Sequence, residues 1–327
     1  MPKASTTAST DGSNTESKKC STELKPAVVS RLVDFKCADG VGNTLQIFQG
    51  AETQNDAPVV VFVPAMGIPA RKYDAFCCAM AEYGVNVASF DVRGLGNSSV
   101  RVTKAVDFSY ATVVEQEYCA ALKLVAKEFP KSRLMLTGHS LGGQLGALYM
   151  AHAKHYADKG LVNPDGLGLI ASCSIYYKGW PFPMSLGLLM FTQFSMLLGK
   201  VLGYFPGKSV GFGGSEARSL ISDWACGSRT GRYDLISDLN SNLRTAYDPM
   251  LAKVTKPVIS INFAEDTLAP LKPTRFLVEK LNTSDWQRHL IDKDSLGTKQ
   301  ADHYQWMRSP DLPAKRIAEW ALAPRGE

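Results

Sequence analysis

Short apolar runs alternate with longer stretches of helical spacing along most of this chain. Residues 28–36 and 44–49 read as two opening strands joined across Asp39-Gly40. Pro58-Val-Val-Val-Phe-Val-Pro64 is a continuous apolar run, the pattern of a strand buried on both faces. Residues 86–90, 133–137, 166–174, 257–263 and 287–291 repeat that signal. Between them, residues 72–83, 111–129, 142–157 and 315–322 carry apolar positions at helical spacing. Alternation of this kind predicts a mostly parallel eight-stranded sheet with right-handed crossovers and helices on both faces.

The alternation stops between residues 175 and 251. That segment is rich in Gly, Phe, Met and Trp and shows no strand signal. It is far longer than an ordinary loop and reads as an inserted helical cap. The expected organisation is therefore a tail (1–27), an α/β core (28–174 and 252–327) and a cap (175–251). Within the cap, residues 184–198 are almost wholly apolar. The run is shorter than the roughly 18–20 residues of a membrane span, includes Gln193, and is followed by Gly199 and Lys200. It reads as a buried or lid helix, and no integral membrane span is expected.

Composition adds little to this picture and excludes some functions. An apolar fraction of 45% over 327 residues supplies a large core. The net charge of +5 comes from scattered Lys and Arg with no basic stripe, which argues against a nucleic-acid partner. The Ser/Thr/Lys-rich tail lacks the apolar core of a signal peptide. Seven cysteines without a repeating spacing, two of them adjacent at Cys77-Cys78, read as reduced thiols in a cytoplasmic protein.

The chemistry centres on Gly138-His-Ser140-Leu-Gly142-Gly, which lies between a predicted strand and a predicted helix. G-x-S-x-G in that setting is a nucleophile elbow. The turn holds the serine in a strained conformation that exposes its Oγ, and glycines on either side admit close backbone approach. A serine hydroxyl requires a general base and a group that orients the base. Of five histidines, His139 lies in the elbow facing away from the serine, His152 and His155 are too far along the next helix, and His289 sits in a predicted strand. His303 follows the last strand, so it is the candidate base. The acid belongs at a strand end between serine and histidine, where Glu265 and Asp266 both stand. Asp302, adjacent to the histidine, cannot easily face its Nδ1. One oxyanion donor is expected from the Leu141 amide, and the other from the loop Pro64-Ala65-Met66-Gly67. Asp91-Val-Arg93-Gly-Leu-Gly96 reads as a structural turn.

Together these residues resemble the α/β-hydrolase superfamily, on the branch that includes serine-aminopeptidase-like and monoacylglycerol-lipase-like hydrolases. Pro64-Ala-Met-Gly67 with Tyr204-Phe-Pro-Gly-Lys208 and Trp224-Ala225 is similar to a set of predicted α/β-hydrolases of unsettled substrate. Members of that set usually have Gly-His where this chain has Asp302-His303. The resemblance implies the triad Ser140, Asp266 and His303, with Asp266 preferred over Glu265 by the form of the acid loop. Aligned with the His-Gly of many relatives, the oxyanion loop makes Met66 the second donor, with Ala65 the alternative. The expected function is cleavage of a carboxylic ester, thioester or amide of a small, largely apolar molecule, without metal or organic cofactor. An acyltransferase using the same triad and a non-catalytic binding protein are the alternatives. Trp180, Phe182, Leu188, Phe191 and Phe194 are the candidate substrate-binding residues of the cap.

Overall fold

The computed structural model describes residues 27–54, 56–233, 236–237 and 244–324. The expected N-terminal tail lies outside the described residues, apart from Ala27. Eight strands form one sheet: β1 (Val28–Lys36), β2 (Gly42–Gly50), β3 (Val59–Val63), β4 (Asn86–Phe90), β5 (Leu134–His139), β6 (Gly166–Ile170), β7 (Val258–Phe263) and β8 (Trp286–Ile291). Their order is β1-β2-β4-β3-β5-β6-β7-β8. β2 runs antiparallel to both neighbours and all other pairings are parallel.

Every residue of β3, β4, β5 and β6 is buried. Their mostly apolar or small residues follow from helices covering both faces. The longer helices are α1 (Asp74–Glu82), α2 (Cys119–Glu128), α3 (Leu141–His155), α4 (Met184–Leu202), α5 (Arg218–Thr230), α6 (Leu271–Val278) and α7 (Asp311–Leu322), with α4 and α5 in the insertion between β6 and β7. α1 packs on α7. α3 packs on a π turn (Val114–Tyr118) that precedes α2 and on the short helix Tyr247–Leu251. β3 and β5 pair in register from Val59↔Leu134 to Val63↔Gly138, which sets the loop after β3 beside the turn after β5. Parallel strands thus deliver three loops to one end of the sheet, where ligand sites form in open α/β sheets.

The insertion is built from α4 (Met184–Leu202) and α5 (Arg218–Thr230), packed together, with a short antiparallel ribbon (Tyr204–Pro206 with Ser215–Ala217) between them. The ribbon had no sequence signal because three-residue strands are too short to show alternation. α4 also runs four residues past the expected stop, through Gly199 and Lys200, to Gly203, whose φ of 84° supplies a left-handed cap. At 19 residues it is long and apolar enough to cross a membrane by length and composition alone. Its inner face is fixed to α5 instead: Thr192 Oγ1 donates to Ser228 Oγ at 3.0 Å and Gln193 Nε2 to the Ala225 carbonyl at 2.9 Å. The core holds the insertion through Asp107, which binds Arg218 and Ser219, and through Asp223, which accepts from the Tyr110 amide at 3.0 Å.

Candidate active site

Ser140 has φ 52° and ψ −116°, a conformation that side chains avoid. The surroundings hold it there. Its amide donates to the Ile170 carbonyl at 3.0 Å. Its own carbonyl accepts from the Gly143 and Gln144 amides and, at 2.6 Å, from Ser172 Oγ. The flanking glycines have a steric reason. A Cβ on Gly138 would lie 2.3 Å from the Gly142 carbonyl carbon, and one on Gly142 would lie 2.3 Å from the Val63 oxygen. Both obstacles are backbone, so neither can yield. Strain maintained in this way marks functional positions.

Two neighbouring carboxylates follow β7, and the fold separates their roles. Asp266 is buried. Its Oδ1 accepts from the Leu268 and Ala269 amides at 2.7 and 2.9 Å, and its Oδ2 meets His303 Nδ1 at 2.8 Å. Glu265 is exposed and grips Ala301 twice, accepting from its amide and donating its own amide to its carbonyl. Glu265 therefore braces the loop that carries His303 and does not touch the imidazole in this arrangement. Asp302 turns away and caps the amides of Tyr304 and Gln305. With a proton on Nδ1 donated to Asp266, the Nε2 of His303 is left as the basic nitrogen.

Ser140, Leu141, Met66 and His303 all line one cavity of about 340 Å³ under the insertion. The Ala65 amide donates to Tyr73 Oη at 3.3 Å. That engagement leaves Met66, of the two expected alternatives, as the residue of this loop with its amide available to a ligand. Trp180, Leu188 and Phe191 also line the cavity, and Trp180 is fixed by donation from Nε1 to the Thr267 carbonyl at 2.8 Å. Phe182 and Phe194 do not line it. Phe182 precedes α4 and is 80% exposed; Phe194 is 55% exposed, because α4 turns Leu188 and Phe191 inward and Phe194 toward its outer side. Composition alone had placed both in the pocket. Met184, Phe212, Trp224, Ile175 and Leu268 take their place.

Behind the site lies a network that sequence reading missed. His139 is fully buried, and its ring packs 4.7 Å from that of His303. Its Nδ1 meets Tyr73 Oη at 2.7 Å. Complete burial, and then the neighbouring His303, hold His139 far below the ordinary histidine pKa, so it is neutral. Burial raises the Tyr73 phenol, which keeps its proton to donate. Trp306 stacks on Phe263 and donates from Nε1 to the His303 carbonyl at 3.0 Å. The chain Ala65–Tyr73–His139–His303 thus ties the oxyanion loop to the histidine loop. Tyr73 and Trp306 belong to no local motif, and the sequence held no signal for either. The Asp91 turn is structural, as expected: its carboxylate accepts from the Ala70 and Asn97 amides at 2.7 and 2.8 Å.

A family model described as serine aminopeptidase, S33, matches residues 54–294. No protein of curated function matches the chain. Among solved structures, it is similar to the esterase domain of a Rhodothermus marinus protein (13% identity, TM-score 0.56, 90% of this chain and 98% of that one). It is also similar to the esterase Est1E from Butyrivibrio proteoclasticus, solved with ferulic acid bound (13%, 0.59, 89% and 99%). A third is a monoacylglycerol lipase from Paleococcus ferrophilus (15%, 0.52, 90% and 98%). At such identities the likeness is one of fold.

Proposed function

Because the chain belongs to the serine aminopeptidase (S33) family of α/β-hydrolases, we propose that it is a serine hydrolase that cleaves a carboxylic ester of a small, largely apolar molecule through an acyl-enzyme. Ser140 Oγ attacks the carbonyl carbon while His303 Nε2 takes its proton. Asp266 holds the imidazole in the required tautomer and stabilises the imidazolium. The Leu141 and Met66 amides receive the oxyanion. Collapse of the tetrahedral intermediate expels the alcohol, which takes the proton from His303. Water, deprotonated in turn by His303, then releases the acid and restores Ser140.

One observation carries the reading: a backbone-strained serine opens into the same cavity as a histidine whose Nδ1 is held 2.8 Å from a doubly anchored aspartate. The cavity supports an apolar substrate through Leu188, Phe191, Phe212 and Trp224. Its volume, at the lower end of the ~300–1,000 Å³ range of ligand sites, supports a small one. The test is hydrolysis of p-nitrophenyl esters of increasing acyl length, with and without an added acceptor alcohol. Release of free acid by the wild type, lost in Ser140→Ala, is the expected result. Transfer product dominating in the presence of the alcohol would make the protein an acyltransferase. Activity unchanged in Ser140→Ala would remove the serine mechanism.

A further inference from the structure

Helix α4 is apolar on its outer side as well as on the inner side that lines the cavity. A helix at the surface of a water-soluble domain turns its apolar stripe to the core and its polar face outward. Here the buried positions are the small or polar Thr192, Ser195 and Gly199. The outward stripe is Leu186, Met190, Phe194, Leu197 and Val201, spaced by four, four, three and four residues, with Phe182 just ahead of the helix, and each of the six is between 50% and 80% exposed. None of the six lines the cavity, and none is needed to fill the core. An exposed apolar stripe of this extent is the mark of a docking surface. From Leu186 to Val201, at about 1.5 Å per residue, it extends roughly 22 Å along the 19-residue helix.

Charge around the stripe indicates what that surface meets. From Ile175 to Ser215 the chain has Lys178, Lys200 and Lys208 and no Asp or Glu, although it contains 31 acidic residues in all. Lys200 is exposed and adjoins Val201 at the edge of the stripe. Lys104, also exposed, packs its side chain beside Gly203 at the end of the same helix. An apolar stripe whose own segment supplies cations and no carboxylate matches a lipid surface bearing anionic headgroups, and Asp107, near the same end of the helix, is already paired with Arg218. A second copy of the chain fits less well. A two-fold interface sets the same patch against itself, and these lysines would find no carboxylate there.

We propose that the outer face of α4 docks the protein on the surface of an anionic bilayer, with the stripe in the headgroup–acyl boundary and Lys104 and Lys200 on the headgroups. The helix lies in the interface and does not span it, because its inner side remains bonded to α5 through Thr192 and Gln193. Met184, Leu188 and Phe191 on that inner side line the cavity, so a molecule leaving the lipid meets the site across one helix. Docking is independent of the chemistry proposed for Ser140.

The test is co-sedimentation of the full chain with vesicles of phosphatidylcholine plus phosphatidylglycerol, against phosphatidylcholine alone. The wild type binds the mixed vesicles at least about tenfold more strongly, and salt weakens that binding. The Met190→Glu/Phe194→Glu variant loses binding by about tenfold or more, and Met190→Ser/Phe194→Ser, which adds no charge, loses part of it. Ser140→Ala binds as the wild type does, whatever its activity. Unfolding temperature checks that the variants fold. Absence of wild-type binding, equal binding to the two lipids, or binding unaffected by both double variants would overturn the proposal. So would a lipid-free dimer, seen by sedimentation equilibrium, that the same variants dissociate.

Discussion

The elbow and the cap helix α4 lie against the same cavity and are built on opposite principles. In the elbow the backbone leaves no choice: a Cβ on Gly142 would sit 2.3 Å from a carbonyl oxygen of β3. In α4 a Cβ on Gly187 would meet nothing within 4 Å. The elbow is a solution to a steric problem that few residues can solve. At Gly187 in α4 the surroundings leave room for other side chains. On the function proposed above, chemistry resides where sequence is constrained by geometry, and specificity resides where it is not.

The sharpest way to break this contrast is at the proposed triad. Ser140→Ala and Asp266→Asn should each lower kcat/KM by about 10³–10⁴ or more, by loss of the nucleophile and of the productive tautomer. Both should leave the unfolding temperature near that of the wild type. The glycines come next. Gly142→Ala should destabilise the fold by roughly 3–5 kcal/mol, as backbone clashes in a core do. Gly187→Ala should be neutral or stabilising by up to about 1 kcal/mol, since it only improves helix propensity. Denaturant titration of the two variants measures the difference, and equal effects would remove the contrast.

The two regions also respond to pH in opposite directions. His139, behind the elbow, is held neutral with a pKa well below the ordinary 6.5. The unfolded chain binds this proton more readily, so its contribution to stability is full above 6.5 and is lost as pH falls below it. Glu216, buried in the cap ribbon and accepting from the Gly214 amide at 2.9 Å, is raised by burial to about 7. Here the folded state binds the proton more readily. Stability falls as pH rises from about 4.5 to about 7, by about 3 kcal/mol in all. Hydrogen exchange should show the elbow loosening on acidification and the loop at Gly214 loosening above neutrality. Glu216→Gln should abolish only the second response. The smallest effect belongs to the pocket wall. Phe191→Ala should reduce kcat/KM for longer acyl esters by about ten- to a hundredfold and spare acetate. Phe194→Ala should leave both soluble substrates unchanged.

These differences also explain what could be read from the chain beforehand. All eight strands were legible, because continuous runs such as Val59–Val63 admit few other readings. Ser140 was legible from glycines that only close approach explains. The choice of Asp266 over Glu265 was not decided by the residues alone, because adjacent carboxylates in a turn differ only in which one the loop turns inward. Phe182 and Phe194 were misplaced for a related reason: an all-round apolar helix gives no phase, and the usual rule would bury the very face that α4 exposes. Tyr73 and Trp306 reach the site from distant segments through packing that has no local signature.

The central claim is that Ser140 is the nucleophile, and a fluorophosphonate probe tests it most directly. Peptide mass spectrometry of the labelled, folded protein should find a single adduct on Ser140, absent from Ser140→Ala and from heat-unfolded protein. An adduct on another residue, or labelling that persists unchanged in Ser140→Ala, would contradict the account.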